Sequence, residues 1–502
     1  MSTWLIVVVV IVAPLVALAA YDLVQTRHAI LRNFPLVGHL RYLLERVGPE
    51  LRQYIVTDND EERPFSRDQR RYVYASSKLE NSYFGFGTDN RLEEASGYVV
   101  IRQSALPHAG HSEGLHDLPC AKVLGEANGR PGAFRPGSVV NVSAMSFGSL
   151  SGAAVEALNR GAAIGGFLHN TGEGGIAEHH LHGGDLVYQL GTGYFGSRGP
   201  DGAFEMDRLL ETIEGRPVRA IEIKLSQGAK PGLGGVLPAA KVTDEIARCR
   251  GVPAGVTVVS PNAHTAFGDV GGLVDFVEGI AAATGLPVGI KSAVGERDFW
   301  IELADTMATR RAGPDFVTID GGEGGTGAAP LVFADHVALP LRLGLAEVFG
   351  VFAARDLTER VVFVASGKLG FAQEALVAMA LGADCINVAR EAMLAIGCIQ
   401  AQRCHTGHCP TGVATQGRWL SRGLDPTSKA DRVANYVAAL RHDMLRLAWA
   451  CGVSHPALVD PDRIELLDGL DRTTPLLERY RHEGAWHAVD SDTRRRIDDL
   501  MA

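Results

Sequence analysis

The sequence has no long block of basic residues, no internal repeat, no low-complexity linker and no nicotinamide-binding fingerprint. With 48 Lys and Arg against 58 Asp and Glu, and a formal net charge of -10, it offers no basic field for a polyanion, which argues against nucleic acid as a partner. Cysteine is scarce and odd in number, seven in 502 residues with three crowded together. A disulfide framework would need an even, spread set, so reduced thiols are expected. A length of 502 residues exceeds the roughly 100–200 of a typical domain but is reached by α/β barrels with extensions, so one large domain with satellites is allowed.

Charge is also missing from Trp4 to Ala20, a run that holds Leu5, Ile6, Val7, Val8, Val9, Val10 and Ile11. Its length is close to the roughly 17–25 residues of a membrane-spanning helix, in which Pro14 is tolerable. Arg27, Arg32 and Arg41 come after it. The expectation is therefore a transmembrane helix over residues 1–21, a single-pass membrane protein with its catalytic domain cytoplasmic. A cleaved signal peptide is the rival reading, because Ala17-Leu18-Ala19 has the small residues of a processing site, but no basic residue precedes the run.

Residues 22–137 mix charge, proline and short apolar runs without a steady period and read as an α+β leading region packed on the barrel-forming domain C-terminal to it. Cys120 within it is a lone thiol, read as a small buried hydrophobe. Short β-branched runs then alternate with helical stretches. They are Val139–Val142, Gly166–His169, Ala220–Lys224, Val256–Val259, Val288–Lys291, Phe316–Ile319, Val361–Ala365 and Ile386–Val388. Eight such units over residues 138–424 indicate an α/β fold, a (β/α)8 TIM barrel, with a doubly wound open sheet as the alternative. Polar, glycine-rich segments after several separate strands favour the barrel. Residues 425–502 read as a C-terminal helical extension.

Chemistry-bearing residues cluster after the expected strands. The first is followed by NVSAMSFGSLS, with Ser143, Met145 and Ser146 at the mouth, and the second by HNTGEGG with Glu173. The third gives IKLSQGAKPGLGG, in which Lys224, Gln227 and Lys230 share one loop and suit an anionic substrate. The fifth carries Lys291 on an apolar strand, where an ammonium needs an anionic partner or a depressed pKa. IDGGEGGTGAAP and VASGKLG come after the sixth and seventh. Glycines at successive strand ends, toward the seventh and eighth, favour a phosphate-bearing cofactor held by backbone N–H groups.

After the eighth strand, Cys398, Cys404 and Cys409 lie five and four residues apart in CIQAQRCHTGHCPTGVATQ, residues 398–416. Three thiols with His405 or His408 could form a zinc site. The thiols alone suit an iron–sulfur cluster lacking one iron corner. Spacing leaves both open.

In one order, SAMSFGSLS, NTGEGG, KLSQGAKPG, DGGEGGTGA and CIQAQRCHTGHCPTGVATQ closely resemble the synthase domain of glutamate synthase, and in particular its shorter FMN-binding, N-terminally anchored relatives. The resemblance runs from about Ser138 to Gly452. It implies FMN on a TIM barrel and a [3Fe-4S] cluster on Cys398, Cys404 and Cys409. It implies an oxidoreductase making glutamate from 2-oxoglutarate and ammonia, or an amine, by way of 2-iminoglutarate. Electrons would come from ferredoxin or a partner subunit. Lys291 would stabilise the flavin ring, Lys224 and Gln227 would hold substrate or flavin edge, and Glu173 would act as acid, base or ammonium contact. Ser143, Ala144, Met145, Ser146, Asn170 and Thr171 would line the flavin. Gly324, Gly325, Thr326, Ser366, Gly367, Ala389 and Arg390 would surround its phosphate. The chain departs from the family at Leu233, where a glutamate is usual, and at Ser366-Gly367-Lys368, where the family reads DGG. It opens MSTWL where the full enzyme has an N-terminal glutaminase cysteine, so its ammonia would come from elsewhere. The alternatives are an N-methylglutamate synthase-like or other amine-transferring subunit, or a non-catalytic zinc-stapled membrane module.

Overall fold

A computed structural model describes residues 3–54, 61–80, 85, 87, 88, 90, 95–110, 117–469, 472–480 and 489–502. At its centre eight strands close into a barrel. They are β1 (Val140–Val142), β2 (His169–Asn170), β3 (Leu186–Leu190), β4 (Val218–Lys224), β5 (Val288–Ser292), β6 (Phe316–Asp320), β7 (Val362–Ser366) and β8 (Cys385–Val388). Every strand is parallel to its neighbours, and β8 returns to β1 through the register Ile386 to Val140. Strands covered on both faces read as continuous apolar runs, which is how most of them were legible.

One strand was misplaced and one was missed. Val256–Val259 was expected to be the fourth barrel strand. Only Val258–Val259 is extended, and it pairs antiparallel with Val236–Leu237 outside the barrel, its Val259 exposed. The place in the barrel belongs to Leu186–Leu190, all five residues buried. Its Gln189 breaks the apolar run and is satisfied by Glu222, its register partner on the adjacent strand β4. The segments counted as second and third strands therefore flank an unforeseen β3.

Helices pack outside the barrel. Helix Gly152–Gly165 starts at Ser151, whose hydroxyl accepts the Ala154 N–H, and ends at Gly166 in the left-handed conformation. Helix Pro426–Ala450 lies against it, and Gly161 permits the approach, since a Cβ there would stand 2.1 Å from Val433. The leading and trailing regions meet in a three-stranded antiparallel sheet. Ser96–Ile101 pairs with Ile464–Asp468, which pairs with Thr473–Pro475, so the C-terminal extension is not purely helical.

The expected membrane anchor requires correction. A helix does form over Thr3–Val24, but among the described residues no helix is long and apolar enough to cross a membrane. The single-pass anchor and the membrane localisation are therefore not supported. Pro14 lies inside the helix, and the last turn docks on protein. There the fully buried Asp22 accepts the Leu36 N–H and pairs with His39, both at 3.0 Å.

Candidate functional site

The carbonyl end of the barrel gathers the charged residues. Register sets Lys224 at the end of β4 beside Lys291 of β5, and Lys291 beside Thr318 of β6. Both lysines are buried, and each finds a carboxylate. The Lys224 ammonium lies 3.2 Å from a Glu173 oxygen and donates to Gln227 Oε1 at 2.5 Å. Burial alone would raise the Glu173 pKa, but Lys224, with Arg250 and Lys230 behind it, holds the carboxyl below the usual range. Two glycines let backbone close on this carboxylate, since a Cβ at Gly235 would stand 2.4 Å from it and one at Gly191 2.6 Å. Lys230 turns away and donates to the Gly234 carbonyl at 2.6 Å.

Lys291 lies 3.4 Å from Asp320 at the end of β6. Asp320 also accepts the Gly228 N–H at 2.9 Å, which ties the loop after β4 to that after β6. Here glycine is obligatory, because a Cβ on Gly228 would sit 1.8 Å from the Gly321 carbonyl oxygen.

The other expected ring-contacting residues come from β1 and β2. Ser143 and Met145 are buried, and Ala144 and Ser146 are partly exposed. Asn170 is satisfied internally: its amide donates to Glu222 at 2.8 Å and its oxygen accepts the Gly172 N–H at 3.0 Å. Thr171 accepts the Gln189 N–H at 3.1 Å.

Three participants escaped the sequence reading. Arg250 is buried at the end of helix Asp244–Arg250 and donates to Ser146 Oγ at 3.3 Å and Phe147 O at 3.2 Å. His264 donates through Nε2 to the Lys224 carbonyl at 2.9 Å. Glu222 sits inside the barrel and accepts from Asn170, Gln189 and Thr318. The spacing of Glu222 two residues before Lys224, on the same strand face, was the available signal.

Toward β7 and β8 the wall is backbone and cation. Gly367 has a φ of 150° and Ala389 precedes the short helix Arg390–Ala395. The Arg390 side chain lies across the Gly324-Gly325 loop, where a Cβ at Gly325 would stand 2.8 Å from it, and donates to the Glu323 carbonyl. Gly325 and Thr326 are exposed. Open backbone beside a guanidinium is a donor set that fits a phosphate group.

The thiols behave differently. All seven cysteines are free, and among the described residues no group of Cys, His, Asp or Glu could hold a metal ion. Cys398 accepts the Gln400 N–H at 3.4 Å, and burial pushes its thiol up to about 12. Cys409 is buried against Thr411. Cys404 shares the loop, and a Cβ on Gly327 would reach 3.1 Å from it, so thiol loop and β6 loop touch. The arrangement is not a ready ligand set.

Residues 133–454 match the family model for the conserved region in glutamate synthase. Glutamate synthase large subunit-like protein YerD of Bacillus subtilis (strain 168) is 38% identical over 469 residues, 86% of this chain and 88% of that protein. The archaeal glutamate synthase (NADPH) of Methanocaldococcus jannaschii is 36% identical over 318 residues, 63% of this chain and 59% of its own length. The matched region thus spans about three fifths of that relative. Among solved structures, mandelate oxidase with (S)-2-phenylpropionate matches over 74% of this chain and 87% of its own at 17% identity and a TM-score of 0.42.

Proposed function

This chain belongs to the glutamate synthase-like family of oxidoreductases, and on that premise we propose that it forms glutamate from 2-oxoglutarate and ammonia, or an amine, with FMN as cofactor. Condensation of the 2-oxo group with ammonia releases water and leaves an imine; two electrons and two protons complete the amino acid. FMN would supply the hydride to the imine carbon. The observation that carries the reading is the adjacent pair of buried lysines across β4 and β5.

Lys224 and Gln227 would bind a substrate carboxylate, which would compete with Glu173 for the Lys224 ammonium. Glu173 would hold ammonium or carry the proton exchanged at nitrogen. Lys291 would offset negative charge on the ring. Ser143, Ala144, Met145, Ser146, Asn170 and Thr171 would bound the ring. Gly324, Gly325, Thr326, Ser366, Gly367, Ala389 and Arg390 would enclose the phosphate end. Ferredoxin or a partner subunit would deliver electrons. An iron–sulfur centre on Cys398, Cys404 and Cys409 belongs to the same reading, although the thiols do not converge as a ligand group, so no step is routed through it.

Anaerobic purification with flavin, iron and sulfide analysis tests the cofactors. Replacing Cys404 by Ser should remove iron and spare FMN. An assay with 2-oxoglutarate, ammonium and reduced ferredoxin should yield glutamate. A flavin-free protein that yields none under any donor sinks the proposal.

A further inference from the structure

The barrel interior is polar where an apolar core would be ordinary. Glu222 precedes Lys224 by two residues on the same face of β4. Register sets Gln189 of β3 beside it, and on the far side of the barrel sets Asn387 of β8 beside Asn141 of β1. Asn141, Asn170, Glu222, Thr318 and Asn387 line a cavity of about 30 Å³, whose wall is completed by apolar residues such as Leu124 and Phe316. A guest the size of water needs about 10–15 Å³, so the cavity admits one small polar ion.

Glu222 is 1% exposed, and all three of its hydrogen-bond donors are neutral: the amides of Asn170 and Gln189 at 2.8 and 2.6 Å and the Thr318 hydroxyl at 2.7 Å. The lysines above it are engaged elsewhere, Lys224 with Glu173 at 3.2 Å and Lys291 with Asp320 at 3.4 Å. A carboxylate withdrawn from water is costly unless a cation offsets it. Asn387 is an independent signal. Its side chain is 9% exposed, lines the same cavity and makes no hydrogen bond among the described residues. Asn141 is committed, its amide to the Ser138 carbonyl at 3.1 Å and its oxygen to the Leu168 N–H at 2.9 Å. A carboxylate with spare lone pairs and a free amide oxygen make an acceptor-rich wall. Water offers such a wall both donors and acceptors, whereas ammonium offers donors only and brings the charge that Glu222 lacks.

We infer that this cavity binds one ammonium ion inside the barrel, held by the Glu222 carboxylate and the Asn387 amide oxygen. The ion joins β8 to the strands that already converge on Glu222, which are β2, β3 and β6. It is a guest of the barrel interior, and the assignment does not rest on the proposed reaction.

Thermal unfolding of the full chain in matched concentrations of ammonium, sodium and N-methylglucamine chlorides tests the site. Ammonium should raise the midpoint saturably, by about 2 °C or more over both controls. N387L replaces the free amide by an apolar side chain of similar volume. It should abolish that ammonium increment whatever it does to the basal midpoint, and circular dichroism checks the fold. Thallium(I) acetate, whose cation matches ammonium in charge and size, locates the site in crystals of the wild type, so the outcome does not hang on the variant folding. An anomalous peak between Glu222 and Asn387 is expected. Equal midpoints in all three salts, or thallium peaks only outside the barrel, would leave the cavity to water and overturn the assignment. An ammonium increment that survives intact in folded N387L would place the ion elsewhere and overturn it as well.

Discussion

The Lys224 ammonium lies 3.2 Å from a Glu173 oxygen, and strand pairing places Lys291 directly beside Lys224. Each lysine thus has its own acid, Glu173 for one and Asp320 for the other, and this division sets what each replacement should do.

Glu173→Gln removes the charge that balances Lys224. Burial opposes the ionised carboxylate and Lys224 outweighs it, so the folded pKa lies below the unfolded one. The stabilisation is full above the ordinary carboxylate pKa near ~4.3 and fades as pH falls through the lowered folded value. The variant should lose about 1–3 kcal/mol at neutral pH. Denaturant unfolding should show that gap shrinking only in strong acid.

Lys291→Gln keeps length and polarity but not charge. If Lys291 offsets charge developing at the cofactor, turnover should fall about 100-fold, in line with loss of one electrostatic stabiliser. Flavin content should stay near that of wild type, measured from the visible spectrum of the purified protein. A variant with unchanged turnover removes Lys291 from the chemistry.

Gly228→Ala forces a methyl group to 1.8 Å from the Gly321 carbonyl oxygen, which is backbone and cannot swing aside. The loops after β4 and β6 must then part, breaking the Gly228 N–H bond to Asp320. A cost of about 1–3 kcal/mol or more is expected, with lowered flavin retention. Thermal unfolding followed by flavin fluorescence reads both at once.

Glu222→Gln tests the barrel interior. The carboxylate accepts from the amides of Asn170 and Gln189 and from the Thr318 hydroxyl. A carboxamide would set its own NH2 against one of these donors. The loss should be about 2–4 kcal/mol, as for a charged hydrogen bond replaced by a clash of donors. Urea titration monitored by tryptophan fluorescence provides the measurement.

His455 is fully buried, donates through Nε2 to the Pro119 carbonyl at 3.0 Å and accepts the Ala457 N–H on Nδ1. Burial lowers its pKa to about 4. Its stabilisation is therefore complete above the ordinary histidine pKa near ~6.5 and lost as pH falls toward the folded value. Acidification from neutrality to about pH 5 should lower the unfolding midpoint. His455→Asn, already weakened, should show a smaller further drop over that interval.

The sequence disclosed the barrel because strands buried on both faces repeat one apolar signature. It failed where tertiary pairing overrode that signature. Val256–Val259 carries the β-branched pattern yet forms a two-residue ladder, with Val259 exposed. Leu186–Leu190 hides a polar Gln189 whose partner is thirty-three positions away on β4. Because the strand order was legible, so was the placement of Glu173 and Gln227 in loops beside Lys224. Arg250 was not, because it ends a helix inserted after β4 and reaches the site only by folding back onto Ser146. The membrane anchor was read from hydropathy, which does not register Asp22 docking to Leu36 and His39.

The cysteine-bearing loop is fastened by residues that precede the barrel. Asn33 donates to Pro410 O at 3.0 Å, Tyr74 donates to Cys398 O at 2.8 Å, and Gln400, with a φ of 56°, exchanges hydrogen bonds with both backbone groups of Phe65. A fragment trimmed to residues 133–454, the region the family shares, would keep every thiol of that loop and discard its three fasteners. Asn33, Phe65 and Tyr74 therefore act as an intramolecular template for the loop, and shortening the chain from its N-terminus should disturb the thiols before it disturbs the barrel.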